Sequence, residues 1–261
     1  MIIKKIATII IFCNSLQAQI SGYIEYDYSV IHVVDYTTKS ILEFNSSKSI
    51  FTTLSNKKRN DSIPKLISSD GQSETYIINK DSHKKPTVYI DKNNDSLVTK
   101  VWKFKKYYNL IENTPSITWE IKSEYKNLGD IPCQKAIGYF RGRTYIVWFT
   151  ESIPVGFGPW KLQGLPGLIL EAKDEQDVFI YRATKIKLSK NVLLEFPDFS
   201  DAISLKTFVT EIEPSKIQEI NSKAQAKLDR NTTLSSLKLD RESQKEIKYE
   251  WEENKIVKKE D

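Results

Sequence analysis

Arg141, Arg143, Trp148 and Glu151 fall within eleven consecutive positions, and Trp160, Leu165, Pro166 and Leu168 follow in a run punctuated by glycine and proline. The first four are the polar or amphipathic candidates beside an apolar loop, and either arginine can simply pair with Glu151 or with a backbone carbonyl. On a strand Arg143 and Trp148 differ in parity, so they face opposite sides. The apolar stretch from Trp160 to Leu170 exceeds what a solvated loop requires and must bury itself. Two readings stay open: it plugs one end of a core, or it lines a groove for an apolar ligand or a partner.

Catalytic chemistry finds little to stand on. The two histidines, His32 and His83, sit at unrelated positions and suggest no metal cluster. The chain carries no Gly-x-Ser-x-Gly, no His-Glu-x-x-His and no phosphate loop. Pro166 removes a backbone N–H from Gly164-Leu-Pro-Gly167, which makes it a poor phosphate cradle. Cys133, with no base in sight, reads as a small buried hydrophobe rather than a nucleophile. Carboxylates abound, but no spacing pairs two of them. The expectation is a non-enzymatic protein with no catalytic residue, no metal and no cofactor.

The elements that must position these residues are mostly strands. Ile24, Tyr26, Tyr28 and Val30 alternate within 22–36, and 40–44 and 49–54 flank a hairpin turn at Asn45-Ser-Ser47. Further extended runs follow at 74–79, 87–91, 96–104, 107–111 and 117–125. Strands at 132–140 and 144–150 are joined by Arg141-Gly-Arg143, with glycine where positive φ comes easily. A last hairpin, 168–173 and 178–188, turns at Asp174-Glu-Gln-Asp177. Short polar turns between successive strands predict an antiparallel sheet. After Pro197 the spacing becomes helical, over 202–211 and 215–229, and the charged end of the chain reads as a solvated helix or frayed tail.

The N-terminus has the order of a secretory signal: Lys4 and Lys5, an apolar Ile6–Phe12, and Ala18 at a cleavage point. That apolar core is too short to span a bilayer, which takes about 20 residues. Its removal would leave a weakly basic chain with Cys133 as its only cysteine, so no intrachain disulfide is expected. Lys57-Lys58-Arg59 and Lys103, Lys105 and Lys106 are local basic clusters. Trp102, Phe104 and Tyr107 interleave with the second, but that alternation is also what a half-buried strand gives, and export argues against nucleic acid.

The segment Cys133, Lys135-Ala136, Arg141-Gly-Arg143, Trp148-Phe-Thr150, Ile153-Pro154, Gly158-Pro159 and Gly164–Leu170 resembles the GLPGLI family of exported Bacteroidetes proteins. Val155-Gly156-Phe157 stands where that family is usually more polar. The resemblance implies an envelope location, periplasmic or associated with the outer membrane, and partners in TonB-dependent transport. It carries no catalytic residues. The strand-rich layout is also similar to lipoprotein-carrier folds, a likeness of fold that fixes no function.

The reading that results is a mainly β protein, a curved antiparallel sheet or open half-barrel with C-terminal helices. Its parts are a signal peptide (1–18), an antiparallel β domain (19–200), helices (201–230) and a charged helical or disordered tail (231–261). It is expected to bind an apolar ligand or an outer-membrane receptor through Arg141, Arg143, Trp148, Glu151, Trp160, Leu165, Pro166 and Leu168. No nucleic-acid partner is expected, and peripheral membrane association is compatible with the reading. A structural subunit of an outer-membrane complex, or a hydrolase using carboxylates, are the alternatives.

Overall fold

The computed structural model describes residues 20–31, 35–54, 85–190, 193–226 and 244–253. The N-terminal signal, His32, His83, the Lys57–Arg59 cluster and the extended run at 74–79 lie outside them.

Alternation decides the strands. In β1 (Ile20–Val30) Ile24, Tyr26, Tyr28 and Val30 turn inward. β2 (Tyr36–Phe44) and β3 (Lys48–Thr53) pair across a turn in which the Asn45 carboxamide oxygen accepts from the amides of Ser47, at 3.0 Å, and Lys48, at 2.8 Å. That is the local bonding that makes asparagine a turn residue. β4 (Thr87–Asp91), β5 (Ser96–Lys103) and β6 (Lys106–Asn113) continue one arm. β7 (Trp119–Leu128), β8 (Ile131–Phe140), β9 (Arg143–Thr150), β10 (Leu168–Asp174) and β11 (Phe179–Lys190) form the other.

All join one sheet, in the order β12-β6-β5-β4-β3-β2-β1-β11-β10-β9-β8-β7, where β12 is the two-residue Ile203–Ser204. Every pairing is antiparallel except β12 on β6. The long return from β1 to β11 zips the two arms together, and the sheet does not close between β12 and β7. It is strongly curled nonetheless. β6 and β9 lie eight strand spacings apart, roughly 38 Å in a flat sheet. Yet Arg141, in the turn entering β9, ion-pairs with Glu112 of β6. The sheet is therefore an open half-barrel, with its aromatic and aliphatic core on the concave side.

The C-terminal helical region is shorter and less regular than periodicity predicts. It runs α1 (Leu205–Thr207), a π-helical turn (Phe208–Ile212) and α2 (Glu213–Gln225). Leu205, Phe208 and Val209 pack on Tyr108 and Leu110 of β6, a second apolar cluster that also takes in Tyr249. Residues 244–253, expected on charge alone to be part of a solvated tail, instead fold back across the mouth of the half-barrel as a strap ending in α3 (Glu250–Glu253). Its Glu246 and Glu250 find opposite charges there and its Lys245 finds aromatic rings, which composition cannot reveal. No helix among the described residues is long and apolar enough to cross a membrane.

Candidate functional site

The turn between β8 and β9 is Arg141-Gly142, with φ of 49° and 89°. Two successive positive φ values are the primed hairpin turn that suits the twist of the sheet. Gly142 satisfies it freely and has a second duty. A Cβ there would stand 2.8 Å from the Ile247 Cβ, so glycine is what lets the strap approach. The amides of Ile247 and Lys248 both donate to the Arg141 carbonyl, at 2.9 and 3.2 Å. Arg141 itself is a side-chain-bearing residue in left-handed backbone, a strained state that surrounding contacts must hold.

Those contacts are ionic. The Arg141 guanidinium, 2% exposed, pairs with Glu112 on β6 and with Glu246 and Glu250 on the strap, the last at 3.0 Å. Lys161, 1% exposed, bridges the same two carboxylates, 2.7 Å from Glu112 and 2.9 Å from Glu246. Burial disfavours ionisation of Glu246, but Lys161 and Arg141 outweigh it and hold its carboxyl below the usual value. Burial also opposes the charge on Arg141, and Glu246, Glu112 and Glu250 reverse that effect. Arg143 lies one position along β9 from Thr144, facing the concave side. It pairs with Asp174 at 2.8 Å and donates twice to the Gln244 carbonyl, at 3.0 and 2.8 Å. Asp174 is fixed in turn by the Phe179 amide, at 2.8 Å.

Beside this cluster the strap inserts Lys245. The residue as a whole is half-buried, but its ammonium end is enclosed by aromatic rings. The nitrogen stands 4.3 Å from the Tyr28 ring centroid, 5.2 Å from Tyr181, 5.3 Å from Trp160 and 5.9 Å from Phe179, and it donates to the Tyr181 hydroxyl. Tyr28 and Tyr181 stack at 4.6 Å, which makes a rigid wall. Such a box attracts cations through the ring quadrupoles. Burial still dominates, and it pulls the Lys245 pKa down to about 7, with Lys161 adding to the fall and Glu246 opposing it. Trp160 holds its place in the box with φ of 57°.

Under the strap lies a cavity of about 190 Å³, lined by Phe51, Val88, Leu110, Phe208 and Trp160 together with Lys103, Lys161, Glu213, Lys245 and Glu246. Thr99 also faces it, and among the described residues its buried hydroxyl has no hydrogen-bond partner.

The glycine-proline segment serves packing. Leu165 and Leu168 are buried at 4% and 0% exposure, within the main core. A Cβ at Gly167 would lie 2.1 Å from the Thr150 carbonyl oxygen, so this crossing admits no side chain. Trp119 donates to the Gln163 carbonyl at 2.9 Å, and Gln163 to the Pro115 carbonyl at 2.7 Å. Of the residues singled out by sequence, the structure brings together Arg141, Arg143 and Trp160. Trp148 faces the other side of the sheet, half-buried under Lys126 at 4.4 Å. Glu151 and Pro166 are exposed away from the cluster, and neither arginine pairs with Glu151.

Residues 140–171 match a family profile described as "Protein of unknown function (Porph_ging)". The Porph_ging-like segment thus runs from the Arg141 turn through Lys161 to β10, and it supplies every cation of the cluster except Lys245. No curated protein matches the chain in sequence. Among solved structures, the chain is similar to PNGF-II in two crystal forms, at 18% and 17% identity and a TM-score of 0.49 for both. Those alignments cover 76% of this chain and 34% and 33% of the other, so the chain spans about a third of that protein's length.

Sequence reasoning missed Glu112, Asp174, Lys245 and Glu246. Nothing local marks them, since the side chains they bond are 29 to 105 positions away. Lys161 did leave a sign, a lone cation inside the apolar run Gly158-Pro-Trp-Lys-Leu162. Cys133 is buried and unpaired by any disulfide, and burial pushes its thiol pKa up, which suits packing and not reactivity. No group of three or more His, Cys, Asp or Glu that could hold a metal occurs among the described residues.

Proposed function

We infer that the protein is a non-enzymatic binding module of the cell envelope, exported and related to GLPGLI proteins, that holds its ligand on the concave face of the half-barrel rather than on the Leu165–Leu168 loop. The observation that carries this reading is the cavity of about 190 Å³ beneath the strap, lined by apolar side chains together with charged ones. A pocket of mixed character with a few fixed polar groups is the usual form of a ligand site. The volume is smaller than the roughly 300 Å³ where such sites begin, so a full ligand requires the strap to move. An outer-membrane partner in transport fits the same reading.

The carboxylate-hydrolase alternative is less well supported. Glu112 and Glu246 are each bridged by two cations, and Lys161 and Arg141 hold the Glu246 carboxyl below its usual value, which makes it a poor proton donor.

Native and denaturing mass spectrometry of the protein, purified without detergent, tests the reading. Extra mass that disappears on denaturation is the expected result, and its loss in a Val88→Trp variant would place it in the cavity. A clean mass, together with no uptake of decanoate by the folded protein, would overturn it.

A further inference from the structure

The strap is an under-fitting occupant of its own seat. It is held by side chains and by single carbonyls, at Arg141, Gln244 and Lys245, and by the ion pairs of Glu246 and Glu250, and the sheet order does not include it as a strand. It leaves a cavity beneath it and a buried Thr99 hydroxyl unmatched. On its outer side, Thr114 and the strap's own Trp251 also keep buried polar atoms without partners among the described residues, beside Arg141. These polar atoms border the two cavities, so the space around the strap is lined by groups that a polar ligand could bond.

Its anchors are also of a revealing kind. A lysine end held against the Tyr28 and Tyr181 rings and bonded to the Tyr181 hydroxyl, and a glutamate between Arg141 and Lys161, are anchors chosen by shape and by polar and ionic contact, whereas apolar residues of similar size would anchor an internal segment at least as firmly. Trp160 accepts a left-handed backbone to complete the box. With the strap seated, Arg141, Lys161, Arg143 and the strap's own Lys245 stand against Glu112, Asp174, Glu246 and Glu250, four basic residues and four acidic. Lifting the strap removes Glu246 and Glu250, which leaves three cations against two carboxylates at one end and an empty aromatic box at the other.

We propose that this seat is a recognition site for an extended peptide segment of a partner protein carrying a basic residue followed directly by an acidic one, and that Lys245-Glu246 of the strap occupies it in cis. The inference rests on the concave-face reading above and names its ligand class. The box takes the basic side chain, the Arg141–Lys161 pair clamps the acidic one, and Arg143 holds the carbonyl that precedes them. The partner competes with the strap, so its apparent affinity is reduced by the fraction of time the seat is filled.

The test uses the full chain with its own anchors removed, Lys245→Ala together with Glu246→Ala, and a labelled peptide of residues 242–253 as the probe. The variant must first show a cooperative thermal transition. Fluorescence anisotropy is then expected to show saturable binding to the variant and at least tenfold weaker binding to the unaltered chain. Replacing either the lysine or the glutamate of the peptide by alanine is expected to weaken binding at least tenfold. A folded variant that takes up decanoate but not the peptide would overturn the peptide proposal and leave the concave-face reading standing. A folded variant that binds neither would sink both. A concentration-dependent dimer of the unaltered chain that the peptide fails to dissolve would assign the seat to a second copy's strap and overturn the partner proposal.

Discussion

At the scale of single residues, the site is a set of charges that tolerate each other only as a group. Arg141 is the hinge of that set, since it bonds both arms of the sheet and the strap. Arg141→Ala leaves Glu112 and Glu246 buried with Lys161 alone. Breaking a buried ionic group in this way costs about 3–5 kcal/mol. Urea denaturation should register that loss, and Arg141→Lys should fall between, because it keeps the charge without the fork. A loss under about 1 kcal/mol for Arg141→Ala would mean the cluster is solvated. Gly167→Ala is a second test at this scale. Its Cβ meets a backbone carbonyl that cannot swing aside, and a drop of at least 1–3 kcal/mol is expected. Gly129→Ala is the control, with open space around it and a cost of about 1–2 kcal/mol from its positive φ alone. Arg141 and Arg143 could be singled out from sequence because they flank a glycine in a hairpin. Their partners could not, because an ion pair between positions 112 and 141, or 141 and 246, has no sequence period.

At the scale of elements, the strands were legible and the strap was not. Alternation placed β8 and β9 to within one residue, because half-buried strands bury every second side chain, whereas the run read over 22–36 ends as β1 at Val30 and its last residue, Tyr36, already opens β2. The two-residue β12, the π-helical turn and the strap lack any repeat long enough to be read. The strap also has a property no pattern could suggest. Lys245 titrates near 7 when docked and near its usual 10.5 when free. Between those values the free form binds more protons, so raising the pH favours docking, by at most tenfold per pH unit. Below about 7 both forms are protonated and the dependence flattens. The groups facing the ammonium do not mask this. Tyr28, Tyr145 and Tyr181 are pushed up by burial and stay neutral, Glu246 is held ionised, and Lys161 stands behind it. Hydrogen exchange at Ile247 and Lys248, corrected for the intrinsic rate, should show protection rising from pH 7 to 10. Lys245→Met should remove the rise. A flat profile in the unaltered chain would show that the ammonium is already in solvent.

At the scale of the whole molecule, an open sheet of twelve strands has two free edges, and each is blunted differently. One ends in β12, two residues long, and α1, which follows it directly, packs on β6. The other is β7, ten residues long and largely exposed, with Tyr125 at 69% exposure. Such an edge can template pairing with another chain. β7 carries Glu120, Lys122, Glu124 and Lys126 along it, and its pairing with β8 breaks register between Ile121 and Tyr125. Lys122 pairs with Glu120, and Glu124 with Lys135 at 2.8 Å, but exposed pairs of this kind contribute little to stability. Their value lies in solvating the edge. Lys122→Val combined with Glu124→Val should therefore change the unfolding midpoint little, and it should convert the protein to concentration-dependent oligomers in light scattering. If the double variant stays as dispersed as the unaltered chain, the register break alone protects the edge and the charges there are incidental. The open architecture depends on this protection, because closing the barrel by pairing β7 with β12 would remove the edge but would also seal the mouth that the strap now covers.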